Sequence, residues 1–224
     1  MTKIKYEAVI FDLDGTLINS VEDLGTSVNR VLESFGFPTH DLDEYNGFIG
    51  DGAEMMVKRA LPEGKRDENT LRKCLDLFLK DYFENYNVHT KPYDDIPQLL
   101  DYLADKSVKT AVLTNKPNEV TRKIVSEIFQ KWHFEEVLGQ TDSLPRKPDP
   151  TGAMMISKKM NIETEKIIYL GDSGVDMETA KSAGMLPVGV LWGFRDRSEL
   201  REHGARYLIN NPMEILDIVD FVSL

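Results

Sequence analysis

Ala8-Val9-Ile10-Phe11-Asp12-Leu13-Asp14-Gly15-Thr16 sets four consecutive apolar, strand-forming residues directly before an acidic turn. A continuous apolar run of this length suits a strand buried on both faces, as in a parallel sheet covered by helices. Similar runs recur at Thr110-Ala111-Val112-Leu113, Ile167-Ile168-Tyr169-Leu170 and Pro187-Val188-Gly189-Val190-Leu191, with a weaker one at Tyr207-Leu208-Ile209. Between them apolar residues fall at helical spacing: Ile96, Leu99, Leu100 and Leu103; Val120, Ile124, Val125 and Ile128; Ala153, Ile156 and Met160. Strands alternating with helices of this length predict an α/β fold, a doubly wound, mostly parallel, Rossmann-like sheet.

One stretch breaks the rhythm. Val21, Leu24, Val28, Val31, Leu32 and Phe35 recur at helical spacing, and Gly36 with Pro38 makes a stop. A second helix is expected around Met55, Met56, Ala60 and Leu61, and a third through Leu71, Leu75, Phe78, Leu79, Tyr82 and Phe83, with no strand between them. This predicts a small all-helical cap domain over residues 18–91, inserted between a first core segment, 1–17, and the rest of the core, 92–224. The Met and aromatic stripes of the cap read as its core.

The 224 residues suffice for one sizeable core, or a core with a small accessory domain. A 41% hydrophobic and 29% charged composition is globular and excludes wholesale disorder. The net charge of −11 disfavours a nucleic-acid or anionic membrane surface as partner. It also means that an anionic substrate needs a local positive site, which a bound divalent cation would supply. With Cys74 alone no intrachain disulfide forms, and a structural zinc cluster is not expected. His40, His89, His133 and His203 are scattered and read as solvent or packing positions. Met1-Thr2-Lys3-Ile4-Lys5-Tyr6 and the short apolar stretch after it are too short for a signal-peptide core or a membrane span. A reducing, cytoplasmic setting is therefore expected.

In an open parallel sheet, ligands sit at the carboxyl ends of the strands. Four polar segments fall there: Asp12-Leu13-Asp14-Gly15-Thr16, Thr114-Asn115-Lys116, Arg146-Lys147-Pro148-Asp149-Pro150 and Gly171-Asp172-Ser173-Gly174-Val175-Asp176. One acidic turn would be only a turn, because Asp is common in Asx turns. An EF-hand loop fails, since Leu17 stands where that loop needs glycine and Glu22 is at the wrong distance for its last ligand. A carboxylate such as Asp12 can attack phosphorus and form an aspartyl-phosphate. A second carboxyl group, Asp14, can protonate the leaving oxygen and then activate water. Gly15 allows close backbone approach to a phosphate, and Thr16 adds a hydroxyl or caps the turn. Magnesium takes a few carboxylates plus waters and phosphate oxygens. Asp12 and Asp172, with the backbone carbonyl of Asp14, are the expected ligands. Asp176 either orients a metal-bound water or serves as a first-turn helix acid. Thr114 and Lys147 would neutralise the phosphoryl oxygens beside Asn115, with Arg146 a rival that Pro148 disfavours by stiffening the backbone at Lys147.

Together these segments resemble the haloacid dehalogenase-like superfamily, whose motifs are D-x-D-G-T, a strand-ending Ser or Thr, a loop Lys and a final acidic pair. Asp12 with Asp14, Thr114, Lys147, and Asp172 with Asp176 match them in order across nearly the whole chain. The resemblance implies the Rossmann-like core with its cap, a magnesium cofactor and, because Asp14 is present, a phosphatase or phosphomutase. Phe48-Ile49-Gly50-Asp51-Gly52-Ala53-Glu54, Arg59-Ala60-Leu61 and Leu191-Trp192-Gly193-Phe194-Arg195 are similar to phosphoglycolate phosphatases. Gly50, Asp51 and Gly52 are then expected to contact or screen the leaving group, although a turn before a helix accounts for them equally well. Asp51 would repel a carboxylate-bearing substrate unless it points away. The expected function is magnesium-dependent hydrolysis of a small phosphate monoester, phosphoglycolate foremost, by a monomer or homodimer whose cap rocks on hinges near Ile18 and Lys91-Pro92. The alternatives are an inorganic pyrophosphatase, a sugar phosphomutase and, from another class, a catalytically silent phosphate-ester-binding protein.

Overall fold

A computed structural model of the chain describes residues 5–222. The first four residues of the segment too short for a leader lie outside the described residues. The strands are β1 (Lys5–Tyr6), β2 (Ala8–Phe11), β3 (Ile18–Asn19), β4 (Lys91–Pro92), β5 (Lys109–Pro117), β6 (Glu136–Gln140), β7 (Ile167–Gly171), β8 (Leu186–Val190), β9 (Tyr207–Ile209) and β10 (Asp220–Phe221). Six of them form one parallel sheet in the order β6-β5-β2-β7-β8-β9. Two short pairs stand outside it, parallel β1–β10 and antiparallel β3–β4.

The continuous apolar runs are explained by burial on both faces. Along β2, Val9 and Phe11 enter one core cluster with Val112, Ile168 and Leu170, while Ala8 and Ile10 enter a second with Ala111, Leu113 and Tyr169. The two-residue period of a strand sends neighbours to opposite faces, so both faces need apolar side chains. Helices cover the faces: α5 (Ile96–Asp105), α6 (Asn118–Ile128), α7 (Thr151–Met160), α8 (Gly174–Ser182), α9 (Arg197–Glu202) and α10 (Ile215–Ile218). From central β2 the chain steps to β5 and β6 on one side, then returns to β7, β8 and β9 on the other. The winding direction reverses at β2, which opens a crevice beyond its carboxyl end.

Two features differ from the expectation. Edge strand β6 is absent from the sequence reading, because its residues other than Gly139 are only half-buried and its sequence Glu136-Val137-Leu138-Gly139-Gln140 lacks a full apolar run. Strand β5 continues past Leu113 to Pro117, with a register shift against β6 between those residues. That extension carries Thr114-Asn115-Lys116 into the interior.

Between β3 and β4 lie α1 (Val21–Ser34), α2 (Tyr45–Phe48), α3 (Ala53–Ala60) and α4 (Glu68–Asn85), with short 3-10 turns between them. Helix α1 packs on α4 and α3 on α4, burying Leu24, Val28, Val31 and Leu32 with Cys74, Phe78 and Tyr82. Side chains of this kind contribute roughly 1.5–3 kcal/mol each when fully buried. Asp67 caps α4 by accepting from Thr70 N at 3.0 Å. Where the segment returns, buried Asp23 of α1 accepts from His89 N at 3.0 Å, Thr90 N at 2.9 Å and Thr90 Oγ1 at 2.7 Å. No helix among the described residues is long and apolar enough to cross a membrane.

Candidate active site

Asp12 follows the last residue of β2, and its N–H continues the ladder by donating to Leu170 O at 2.9 Å. Its Oδ1 accepts from Leu13 N at 2.7 Å and lies 2.9 Å from Lys147 Nζ. Lys147 also reaches Asp176 Oδ1 at 2.6 Å. Oxygens of Asp12, Asp172 and Asp176 lie within 4.8 Å of one another, all buried. Two of these carboxylates, Asp12 and Asp176, face the one ammonium of Lys147, and Asp172 stands beside them. Burial first, and then the Asp176 charge, push the Asp12 carboxyl up to about 7. Burial, with Asp176 and Asp12 beside it, raises Asp172 well above the carboxylate range. Burial pulls Lys147 down, but Asp12 and Asp176 outweigh it and hold the ammonium above its ordinary value.

The cluster is shaped to take a cation. Hard carboxylate oxygens are the donors magnesium prefers, and the surplus of negative charge is what such an ion offsets. A Cβ on Gly15 or on Gly193 would overlap the Asp172 side chain, so two glycines let the chain close around this carboxylate. Gly15 also sits at φ +83°, where glycine is favoured. Phe194 N donates to Asp172 Oδ2 at 2.7 Å, and Trp192 Nε1 donates to Thr16 O at 3.0 Å. Thr16 Oγ1 is buried and has no hydrogen-bond partner among the described residues.

The individual expectations separate at this level. Asp14 lies outside the carboxylate cluster: Lys116 Nζ donates to both of its oxygens at 3.0 Å, and Ser20 Oγ donates to Oδ1 at 2.5 Å. Both of its carboxylate oxygens are thus engaged by Lys116, and Oδ1 by Ser20 as well. Asp176 has both oxygens engaged, Oδ1 by Lys147 and Oδ2 by Ser173 Oγ at 2.6 Å and Ser173 N at 3.1 Å. It is at once a first-turn acid of α8 and a member of the cluster. Asn115 does not offer its side chain to a phosphate; its Oδ1 accepts from Lys147 N at 2.9 Å and its Nδ2 donates to Lys147 O at 3.3 Å. It holds the lysine's backbone instead. Arg146 is half-exposed and faces Glu54 at 4.0 Å, so Lys147 and not its neighbour meets Asp12.

A cleft opens at the same strand ends. Asp12, Asp14, Thr114, Asn115 and Lys116 line the core side, while Gly50, Gly52, Met56, Phe78 and Tyr82 line the helical side. Asp51 points away from it and pairs with Arg59, which removes the repulsion anticipated for a carboxylate-bearing ligand. Arg195, one residue after the Asp172 contact, donates to Asn46 O and to Ile49 O at 2.6 Å, tying this loop to the insertion. Lys116, Tyr82, Trp192 and Phe194 join the site without having been expected there. Lys116 stands beside Thr114 in the quoted strand end, Tyr82 reads as core from its helical spacing, and a main-chain donor such as Phe194 N has no residue-type signature.

A family model described as haloacid dehalogenase-like hydrolase matches residues 9–190. A phosphoglycolate phosphatase of Aquifex aeolicus is 30% identical over 95% of this chain and 96% of its own length. Phosphoglycolate phosphatase 1 of Pseudomonas aeruginosa is 33% identical over 95% of this chain and 79% of its own. The crystal structure of a candidate phosphoglycolate phosphatase from Lactobacillus delbrueckii subsp. bulgaricus superposes with a TM-score of 0.88 at 29% identity, covering 94% of this chain and 97% of that one. The chain belongs to the haloacid dehalogenase-like hydrolase family.

Proposed function

We propose that this hydrolase cleaves a small phosphate monoester, phosphoglycolate foremost, with Asp12 as nucleophile, in the cytoplasm. The supporting observation is the placement of Asp12 at the switch-point strand end, 2.9 Å from buried Lys147 and beside Asp172, with Asp14 two residues on and lining the same cleft. The relatives named phosphoglycolate phosphatases support the choice of substrate.

Asp12 attacks phosphorus, forming an acyl-phosphate bond as the ester oxygen departs. Asp14 gives that oxygen a proton, then takes one from the water that hydrolyses the aspartyl-phosphate. The Thr114 hydroxyl and Lys147 ammonium bind the equatorial oxygens, whose charge must be stabilised in phosphoryl transfer. Magnesium held by Asp12 and Asp172, with the Asp14 carbonyl and with Asp176 behind them, would supply further charge neutralisation. Asn115 keeps Lys147 in place by holding both of its main-chain polar groups. Residues 18–91 act as a cap that excludes water during the first step, rocking about the β3–β4 pair.

The test is phosphate release from phosphoglycolate with and without magnesium, in wild type and Asp12→Asn. Magnesium-dependent release that the variant loses is expected. Absence of release from a broad panel of small phosphomonoesters would overturn the proposal, as would full activity of Asp12→Ala.

A further inference from the structure

The wall of the cleft contributed by the insertion is apolar where Ile49, Met56 and Phe78 line it. Among the described residues lining this cleft, Lys116 is the only cation. Its side chain is 3% exposed, and its three N–H groups are spoken for. Two go to the Asp14 oxygens at 3.0 Å, and one goes to Tyr82 Oη at 2.7 Å. Tyr82 comes from α4 across the seam, with its ring 4.4 Å from Nζ at the centroid. The hydroxyl accepts from Lys116, so that bond does not consume its own O–H, and Tyr82 lines the cleft. An ammonium and a phenolic O–H converging on one point form a two-donor site for a carboxylate, at full strength because the apolar surroundings exclude water.

We propose that Lys116 and Tyr82 bind the carboxylate of the leaving group, selecting phosphate esters of short 2-hydroxy acids. The inference rests on the monoester hydrolase reading above and goes on to name what its leaving-group site recognises. Lys116 donates to both Asp14 oxygens, so an incoming carboxylate competes with Asp14. Once displaced, Asp14 is free to turn to the ester oxygen. A neutral leaving group cannot make this exchange and leaves Asp14 clamped. Tyr82 and Lys116 are thus residues of specificity, and recognition of the substrate's far end is coupled to release of the acid.

The test compares phosphoglycolate with ethyl phosphate, which has no carboxylate, in wild type, Lys116→Met and Tyr82→Phe. Wild type should prefer phosphoglycolate in kcat/KM. Lys116→Met should reduce that preference about ten- to a hundredfold, the scale of one lost charged hydrogen bond, chiefly through KM. Tyr82→Phe removes one hydroxyl and should reduce it in the same direction, so the test survives if Lys116→Met does not fold. Glycolate binding by calorimetry is a second readout: Asp14→Asn, which removes the competitor, should bind glycolate more tightly than wild type, and Lys116→Met should bind it more weakly. If wild type releases phosphate from neither ester, the hydrolase reading and this inference both fail. If it hydrolyses both esters equally well, or if both variants lower both esters in equal proportion, Lys116 and Tyr82 are not the carboxylate site while the hydrolase reading stands. Glycolate affinity unchanged in Asp14→Asn overturns the competition.

Discussion

Replacing Asp12 with asparagine should make the metal-free protein relatively more stable at high pH while abolishing turnover. In the folded chain burial and Asp176 lift Asp12 to about 7 from its usual 3.8. The unfolded chain ionises near 3.8, so folding takes up a proton between these values. The stabilising contribution is fully present below the lower pKa and is lost as pH rises through the upper one. A shift of about 3 units corresponds to an upper bound of about 4 kcal/mol. The asparagine side chain keeps the shape and can still accept from Leu13 N, while Lys147 retains Asp176, so the variant escapes this loss. Urea unfolding at pH 5 and pH 8 with a chelator checks it: about two of the three units lie between these pH values, so wild type should lose about 3 kcal/mol relative to Asp12→Asn. Saturating magnesium should offset most of that difference, since a ligand at a hundred times its Kd stabilises by about 2.7 kcal/mol. An unchanged difference between pH 5 and pH 8 in chelator would show that the cluster carries no uncompensated charge and would refute the electrostatic account of the site.

Gly15→Ala should lower stability by at least ~1 kcal/mol from its backbone conformation alone, and the overlap with Asp172 should also weaken magnesium binding, measured by thermal unfolding against added metal. Asp14→Asn should slow hydrolysis about 10²- to 10⁴-fold for alkyl phosphates and much less for p-nitrophenyl phosphate, whose leaving group needs no proton; equal losses on both would remove Asp14 as the acid. Asp23→Ala strips the acceptor from two main-chain N–H groups and should cost about 2–5 kcal/mol, with faster hydrogen exchange at His89 and Thr90 as its local signature. Arg30→Ala breaks a partly exposed pair with Asp81 at 2.6 Å and should change stability by less than about 1 kcal/mol, seen as an almost unmoved urea midpoint.

The sheet was legible because its central strands are buried on both faces, which forces unbroken apolar runs at Ala8–Phe11 and Ile167–Leu170. Edge strand β6 escapes that rule, and strands of two residues such as β3 and β4 carry no periodicity at all. Asp12, Thr114, Lys147 and Asp172 could be gathered from sequence because parallel strands bring their carboxyl ends to one edge. What Lys116 does there depends on how far β5 runs into the interior and on which residue of α4 faces it, and both follow from packing. Likewise Asp51 pairs with Arg59 across one turn and a half-helix, a choice of rotamer that a Gly-Asp-Gly pattern does not encode. Asn115 stands in the expected segment and lines the cleft, but that its amide would also hold the Lys147 backbone is a matter of packing.

The antiparallel pair β3–β4 joins the start and the end of the insertion, with Ile18 opposite Pro92 and Asn19 opposite Lys91. Paired strands keep such residues about 4.5–5.5 Å apart. The pair closes the insertion at its base, while Lys116 with Tyr82 and Arg195 with Ile49 tie it to the core elsewhere. A different module with adjacent termini could be grafted at Asn19 and Lys91 while Asp12, Lys147 and Asp172 kept their places. On the function proposed above, the residues around Asp12 and the inserted wall of the cleft would be separable parts, open to exchange by recombination or by design.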